Sequence, residues 1–263
     1  MSPVAVRGVG VVAPGLIGWE AALPVLRGAQ PYAPEPLPKL KPDWLPANER
    51  RRLSRLMRLA LPAGQEAVRN AGADPATLAT VFASATGDGD IIHAICEELA
   101  RPAPAVSPTQ FHNSVHNAPA GYWSIAANAQ ACSTAVAAKD ASFAAGLLEA
   151  VTTAEETGAP VLLVAYDQPL PFPLSETRRV ADPFACALLL DPGDAASAAR
   201  LVVHGVRDRG ESTLADAELE RLRACNPAAR ALPLLALLAR GESGRVVAPY
   251  FSGGALALDL ACG

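Results

Sequence analysis

The first side chain with reactive potential is Cys132, set in the run SIAANAQACSTAVAAKDASFAAGLLEAV over residues 124–151. Small residues Ser133, Thr134 and Ala135 follow it, and Val136, Phe143, Leu147 and Val151 recur at intervals of seven, four and four, all helical spacings. That spacing predicts an amphipathic helix with the cysteine at its N-terminus. Unpaired backbone N–H groups and the positive end of the helix dipole would favour a thiolate there, the form in which sulfur attacks a carbonyl carbon. A cysteine in an alanine-rich element also reads as an inert small hydrophobe. His112 and His116 lie four residues apart in QFHNSVHNAPAGYW, so on one helix they share a face. No acidic residue stands between them and no third ligand follows, so a hydrogen-bonding role in a pocket or an interface is expected, and no metal is assigned. Either imidazole is a candidate base for a thiol. Thr86-Gly87-Asp88-Gly89-Asp90 lacks the spacing and distal Glu of a calcium loop and reads as a strand-to-helix turn.

Alternating strands and helices must position these groups. Residues 4–12 read as a strand, and Gly8 and Gly10 in it mark close backbone packing, since the third glycine of a dinucleotide fingerprint is missing. A short helix is predicted over 19–26. Six prolines between residues 30 and 46 make a surface loop. Residues 48–72 read as an arginine-led helix, stopped by Gly72 and bent or interrupted at Pro62. Residues 79–85, 161–166, 185–190 and 201–206 read as strands, and 91–99, 219–225 and 228–238 as helices. Residues 245–260 read as two strands joined at Ser252-Gly253-Gly254. The alternation predicts an α/β fold with a largely parallel or mixed sheet.

Of the 263 residues, 51% are hydrophobic, enough for one large core or two closely packed halves. A net charge of −4, with no basic cluster interleaved with aromatics, argues against nucleic acid as a partner. Five scattered cysteines (Cys96, Cys132, Cys186, Cys225 and Cys262) form no CxxC pair, so neither a disulfide framework nor a zinc ribbon is expected. With no signal segment and no run long enough to span a bilayer, a cytoplasmic protein is predicted.

The stretches VAVRGVGVVAPG, NERRRLSRLMRLALPAGQEAV, FHNSVHNAPAGYWSIA and AQACSTAVAA, in that order, resemble the β-ketoacyl synthases of the thiolase superfamily. They are most similar to the family's shorter, chain-length-factor-like members, and the last stretch resembles the ACSS or ACST nucleophile turn. The resemblance runs from Val4 to about Pro192. It implies a thiolase-like layered αβαβα fold, with a largely complete N-terminal half over 1–192 and a compressed C-terminal half over 193–263. Condensing enzymes of this family load an acyl group on the cysteine and use two histidines from the second half to decarboxylate a malonyl thioester. Cys132 matches the nucleophile, whereas the histidines have no match. His204, in VHGVRD, is the one histidine after Cys132. PYFSGGALALDL resembles the FGG turn and closing strand, which makes Phe251, Gly253 and Gly254 candidate substrate-binding residues. The interval from Trp123 to Cys132 is short for a helix, a loop and the strand that pairs across the dimer.

The resemblance therefore implies an accessory, chain-length-factor-like subunit of bacterial fatty acid, polyketide or aryl-polyene biosynthesis, without cofactor or condensing activity of its own. Its partners would be a full-length ketoacyl synthase subunit and an acyl-carrier protein, with a homodimer as the other assembly. The alternative is an acyltransferase or thioesterase acting on acyl thioesters through Cys132, with His112 or His116 as base. A scaffold without a small-molecule site is a third reading.

Overall fold

The first apolar run forms β1 (Val4–Ala13), which turns through the two-residue β2 (Leu16–Ile17) into α1 (Trp19–Leu26). The structure is a computed structural model that describes residues 1–193, 199–207, 210–251 and 253–263. After the proline-rich loop come α2 (Ala47–Arg52) and α3 (Arg55–Ala71). Pro62 does not interrupt α3. The break falls earlier, where Leu53 is extended and the Ser54 hydroxyl accepts from the Met57 N–H, restarting the helix with a cap. Gly72, at φ 61°, ends it. Then follow β3 (Ala79–Ala83), α4 (Gly89–Leu99) capped by Asp88, α5 (Pro108–Asn113), α6 (Ala118–Ala127), β4 (Ser133–Val136), α7 (Ser142–Thr157) and β5 (Val161–Asp167). The rest is α8 (Leu174–Thr177), β6 (Phe184–Asp191), β7 (Ala199–Val206), α9 (Ala217–Cys225), α10 (Leu232–Arg240), β8 (Gly244–Phe251) and β9 (Gly254–Cys262).

Among the described residues these strands form one mixed sheet in the order β4-β3-β5-β6-β1-β7-β9-β8, with β2 beside β1. The β4, β3 and β5 strands are parallel; β6 runs antiparallel to both β5 and β1. Compression of the second half takes a definite form: β7, β9 and β8 extend the same sheet as an antiparallel set. Side-chain alternation assigns the faces. Leu162, Val164 and Tyr166 of β5 pack with Leu56, Leu59 and Trp123 under α3 and α6, while Val161, Leu163 and Ala165 pack with Phe143 and Leu147 of α7 and with the short 3-10 turn Ala228–Ala231. Gly8 and Gly10 let α3 approach β1 closely, since a Cβ at either would stand 2.0 Å from the carbonyl oxygen of Ala67 or Ala63. Glu66 then reaches from α3 to accept from the N–H groups of Val11 and Trp19, at 3.0 and 2.5 Å.

Two expected helices are corrected. Residues 132–151 do not form one helix led by Cys132; they form the edge strand β4, a short turn and the first part of α7. Val136 belongs to the strand, while Phe143, Leu147 and Val151 do form the buried face of α7. His112 and His116 do not share a helix face, because the chain leaves α5 after Asn113 and restarts at Ala118. Ser114 closes α5 by bonding back to the Phe111 carbonyl at 2.8 Å, and Pro119 suits the first turn of α6.

Candidate functional site

In sheets with parallel strands, ligands gather at the carboxyl ends of the strands. Here that edge is built from the turns that follow β3, β4 and β5. After β4 the backbone passes through Ala137 and Ala138 to Lys139, which holds φ 52° and opens a short 3-10 turn (Lys139–Ala141) into α7. The Ser142 hydroxyl braces this elbow, accepting from the Ala138 N–H at 3.0 Å and donating to the Lys139 carbonyl at 2.7 Å. Asp140 pairs with Arg178 from the segment after β5. The strand-to-helix junction thus carries two alanines and a lysine, and no thiol.

Cys132 lies at the opposite end of β4. Its carbonyl accepts from the Thr80 N–H at 2.9 Å, and its side chain is exposed. The five steps from Cys132 to Ala137 span about 16 Å of extended chain, so this cysteine is not at the helix N-terminus that the run of small residues suggested. Small side chains, the usual signal of a helix start, here fill an edge strand.

The histidines are also dispersed. The His112 ring meets Tyr122 edge-on at 6.4 Å between centroids. His116 Nε2 lies 3.0 Å from the Ser84 carbonyl oxygen; a carbonyl only accepts, so Nε2 carries the proton. His204 sits on β7, 3.7 Å from Asp259, which Arg245 grips at 2.6 Å. His93 faces Glu97 at 3.4 Å on α4. Among the described residues no hydrogen bond joins a histidine to a cysteine, and no cluster of three metal-ligating side chains occurs.

Polar groups missed in the sequence gather at the ends of β3 and β5. Asp167 is fully buried and accepts from the Ser84 hydroxyl at 3.0 Å and the Ala85 N–H at 2.9 Å. Burial pushes its carboxyl up to about 7. Asp88 accepts from the Ile91 N–H at 3.2 Å, and burial raises its carboxyl as well. Asn226, just past α9, donates to the carbonyls of Asp167 and Asp182 at 3.1 and 2.7 Å, tying the second half of the chain to this end of the sheet. The available signal was an aspartate closing the otherwise apolar run VLLVAY.

Beside this cluster, α5 and α6 enclose an open groove of about 520 Å3, lined by Phe111, His112, Val115, Gly121, Tyr122 and Ile125. Phe111 is 68% exposed and Val115 and Ile125 are each 53% exposed, a concentration of apolar surface next to the outer strand β4. At the far end of the chain, Phe251 is exposed and its ring lies over Gly254, where a Cβ would stand 2.1 Å from Cζ. Gly253 takes φ 81° in the hairpin turn; Ser252 lies outside the described residues. β8, which ends at Phe251, touches the Lys139–Ala141 turn, so the glycine-rich strand pair and the elbow are neighbours.

A mixed sheet of this order with helices on both faces is the thiolase-like fold of the ketosynthases. Residues 26–243 match the family described as Beta-ketoacyl synthase, N-terminal domain, and the chain belongs to that family. Among solved structures, it is similar to a chain of the ketosynthase (ApeO) in complex with its chain length factor (ApeC) from Xenorhabdus doucetiae. That match has 26% identity and a TM-score of 0.74, covering 99% of this chain and 100% of that one. The ishigamide ketosynthase/chain length factor matches at 15% identity and a TM-score of 0.72, over 100% of this chain and 99% of that one. The AntDE:AntF complex, a type II acyl-carrier protein with its ketosynthase, matches at 13% identity and a TM-score of 0.71, over 99% of each chain. No curated protein sequence matches. Among the described residues no helix is long and apolar enough to cross a membrane.

Proposed function

We propose that this chain is a chain-length-factor-like accessory subunit that pairs with a full-length ketoacyl synthase in a polyketide or aryl-polyene pathway. The observation that carries the reading is the elbow after β4: it carries no thiol, while the strand feeding it, β4, has one unpaired edge among the described residues. The similarity to the ApeO–ApeC structure, a ketosynthase in complex with its chain length factor, supports the pairing with a synthase. Carbonyls of Cys132 and Val136 point to β3, so by the parallel pattern Ser133 and Ala135 present their N–H and C=O groups outwards. The apolar groove on α5 and α6 extends that edge into a surface for a partner of the same fold. Residues 1–192 then serve as the ketoacyl-synthase-like half and 193–263 as its shortened complement, in the cytoplasm. Arg50, Arg51, Arg52, Arg55 and Arg58, clustered on a chain of net charge −4, suit the acidic surface of an acyl-carrier protein.

Co-expression with a full-length ketoacyl synthase is the test. A stable one-to-one complex, with carbon–carbon bond formation only when both chains are present, is the expected result. Condensation by the isolated chain, or no association with any synthase, would sink the reading. The acyltransferase alternative would need an imidazole near an acylated Cys132, and the geometry of that cysteine gives it no support.

A further inference from the structure

The turn after β3 hangs on a carboxyl group that none of these roles uses. Asp167 Oδ1 accepts from Ser84 and Ala85, while Oδ2 is buried with no hydrogen-bond partner. The Ser84 hydroxyl also accepts from the Gly87 N–H at 3.0 Å, and the Ser84 carbonyl accepts from His116. Gly87 holds φ 61°, and a Cβ there would stand 3.3 Å from the His116 ring. His116 sits between Val115 and Asn117, which both line the α5–α6 groove. One chain of hydrogen bonds therefore links a buried acid to a surface groove.

We infer that Asp167 is a proton-operated latch: neutral, it holds residues 84–88 closed and, through His116, holds the α5–α6 groove in shape, and its ionisation loosens both. This concerns the chain by itself and goes beyond its pairing with a synthase. An ionised Asp167 would be a fully buried charge with one oxygen unserved, the state that low dielectric penalises most. The charged and titratable groups around it do not remove that penalty. Hydrogen bonds from Ser84, Ala85 and the Thr86 backbone lower the carboxyl's value without offsetting its burial, and the Tyr166 hydroxyl, on the same strand, is buried without a partner. Arg178 opposes it from the segment after β5 but is engaged by Asp140, and Asp182 is engaged by Arg221 at 2.8 Å. Asn226 binds only the main-chain carbonyl of Asp167. His116 is not the sensor, because a carbonyl accepts its Nε2–H whether the ring is neutral or charged.

Opening the turn would admit water and return the carboxyl to its ordinary value of 3.8 from about 7. Opening then releases a proton. The advantage of the closed turn is complete below about pH 4, falls as pH rises, and levels off above about pH 7.

Hydrogen exchange read by mass spectrometry on the isolated chain, with intrinsic rates divided out, tests this. Protection of residues 84–88 and 108–122 should fall together, by up to about tenfold per pH unit on the way to neutrality, and then flatten. Asp167→Asn should abolish the slope in both segments. His116→Ala should abolish it in 108–122 and leave it in 84–88, and this variant carries the test should the first not fold. A slope that survives Asp167→Asn, a slope in 108–122 that survives His116→Ala, or a wild-type chain with no slope would overturn the latch.

Discussion

Lys139 stands at the elbow on which the accessory-subunit reading rests. It occupies the left-handed region, φ 52°, at the elbow where β4 meets α7. A non-glycine residue pays about 1 kcal/mol or more to stay there. Lys139→Gly is therefore expected to raise the unfolding free energy by up to about 1 kcal/mol, read by urea titration, because the Ser142 brace uses backbone atoms that the substitution keeps. Cys132 leads to a different prediction. Incubation with an acyl thioester followed by intact-mass measurement should show no adduct that depends on Cys132, and Cys132→Ser should leave synthase binding unchanged. A wild-type adduct lost in Cys132→Ser would restore that thiol as a nucleophile. Sequence reasoning set Cys132 at a helix start because ACST matched the pattern of a nucleophile turn; in the structure it stands a strand length ahead of α7. The strand-to-helix turn itself, AAKD, carries neither a thiol nor a glycine to announce it.

At the level of elements, the sequence was most legible where an element is buried on all sides. β5 and β6 are buried at every position and stood out as unbroken apolar runs; α1 was read to the residue, and Gly72 was read as the stop of α3. β4 was not legible, being four residues long, half exposed and built of small side chains that suit a helix as well as a strand. The interval from Trp123 to Cys132 does hold only the end of α6 and a loop, and the strand β4 follows Cys132. The α5–α6 break was signalled by Pro119 and hidden by the four-residue spacing of the histidines. Gly8 and Gly10 were read correctly as close-packing glycines, and they give a prediction for the helix that rests on them. Gly10→Ala would drive a Cβ into the Ala63 carbonyl, and α3 has to move off β1; a loss of about 1–3 kcal/mol in a denaturant titration is expected.

For the molecule as a whole, the open edge of β4 and the groove beside it form the surface that the accessory-subunit reading requires. Ala135→Pro removes an outward-facing N–H from that edge while sparing the bonds to β3. Synthase binding should weaken by tenfold or more, about 1.4 kcal/mol, with the fold of the isolated chain retained by circular dichroism. Binding unchanged by the proline would mean that β4 does not pair across the assembly. The layered α/β class was readable from the alternation of elements. The joining of β7, β9 and β8 to the first sheet was not, since register between distant strands leaves no local mark in a sequence.

The position of β1 has a consequence for how the chain reaches this state. β1 is flanked in the finished sheet by β6 and β7, which begin at Phe184 and Ala199. Until those strands are made, β1 has only the two-residue β2 beside it. Pairings this distant form slowly and leave sticky edges waiting. β1 therefore emerges long before its neighbours in the sheet, and a nascent chain stalled before Phe184 would be a natural client for a chaperone.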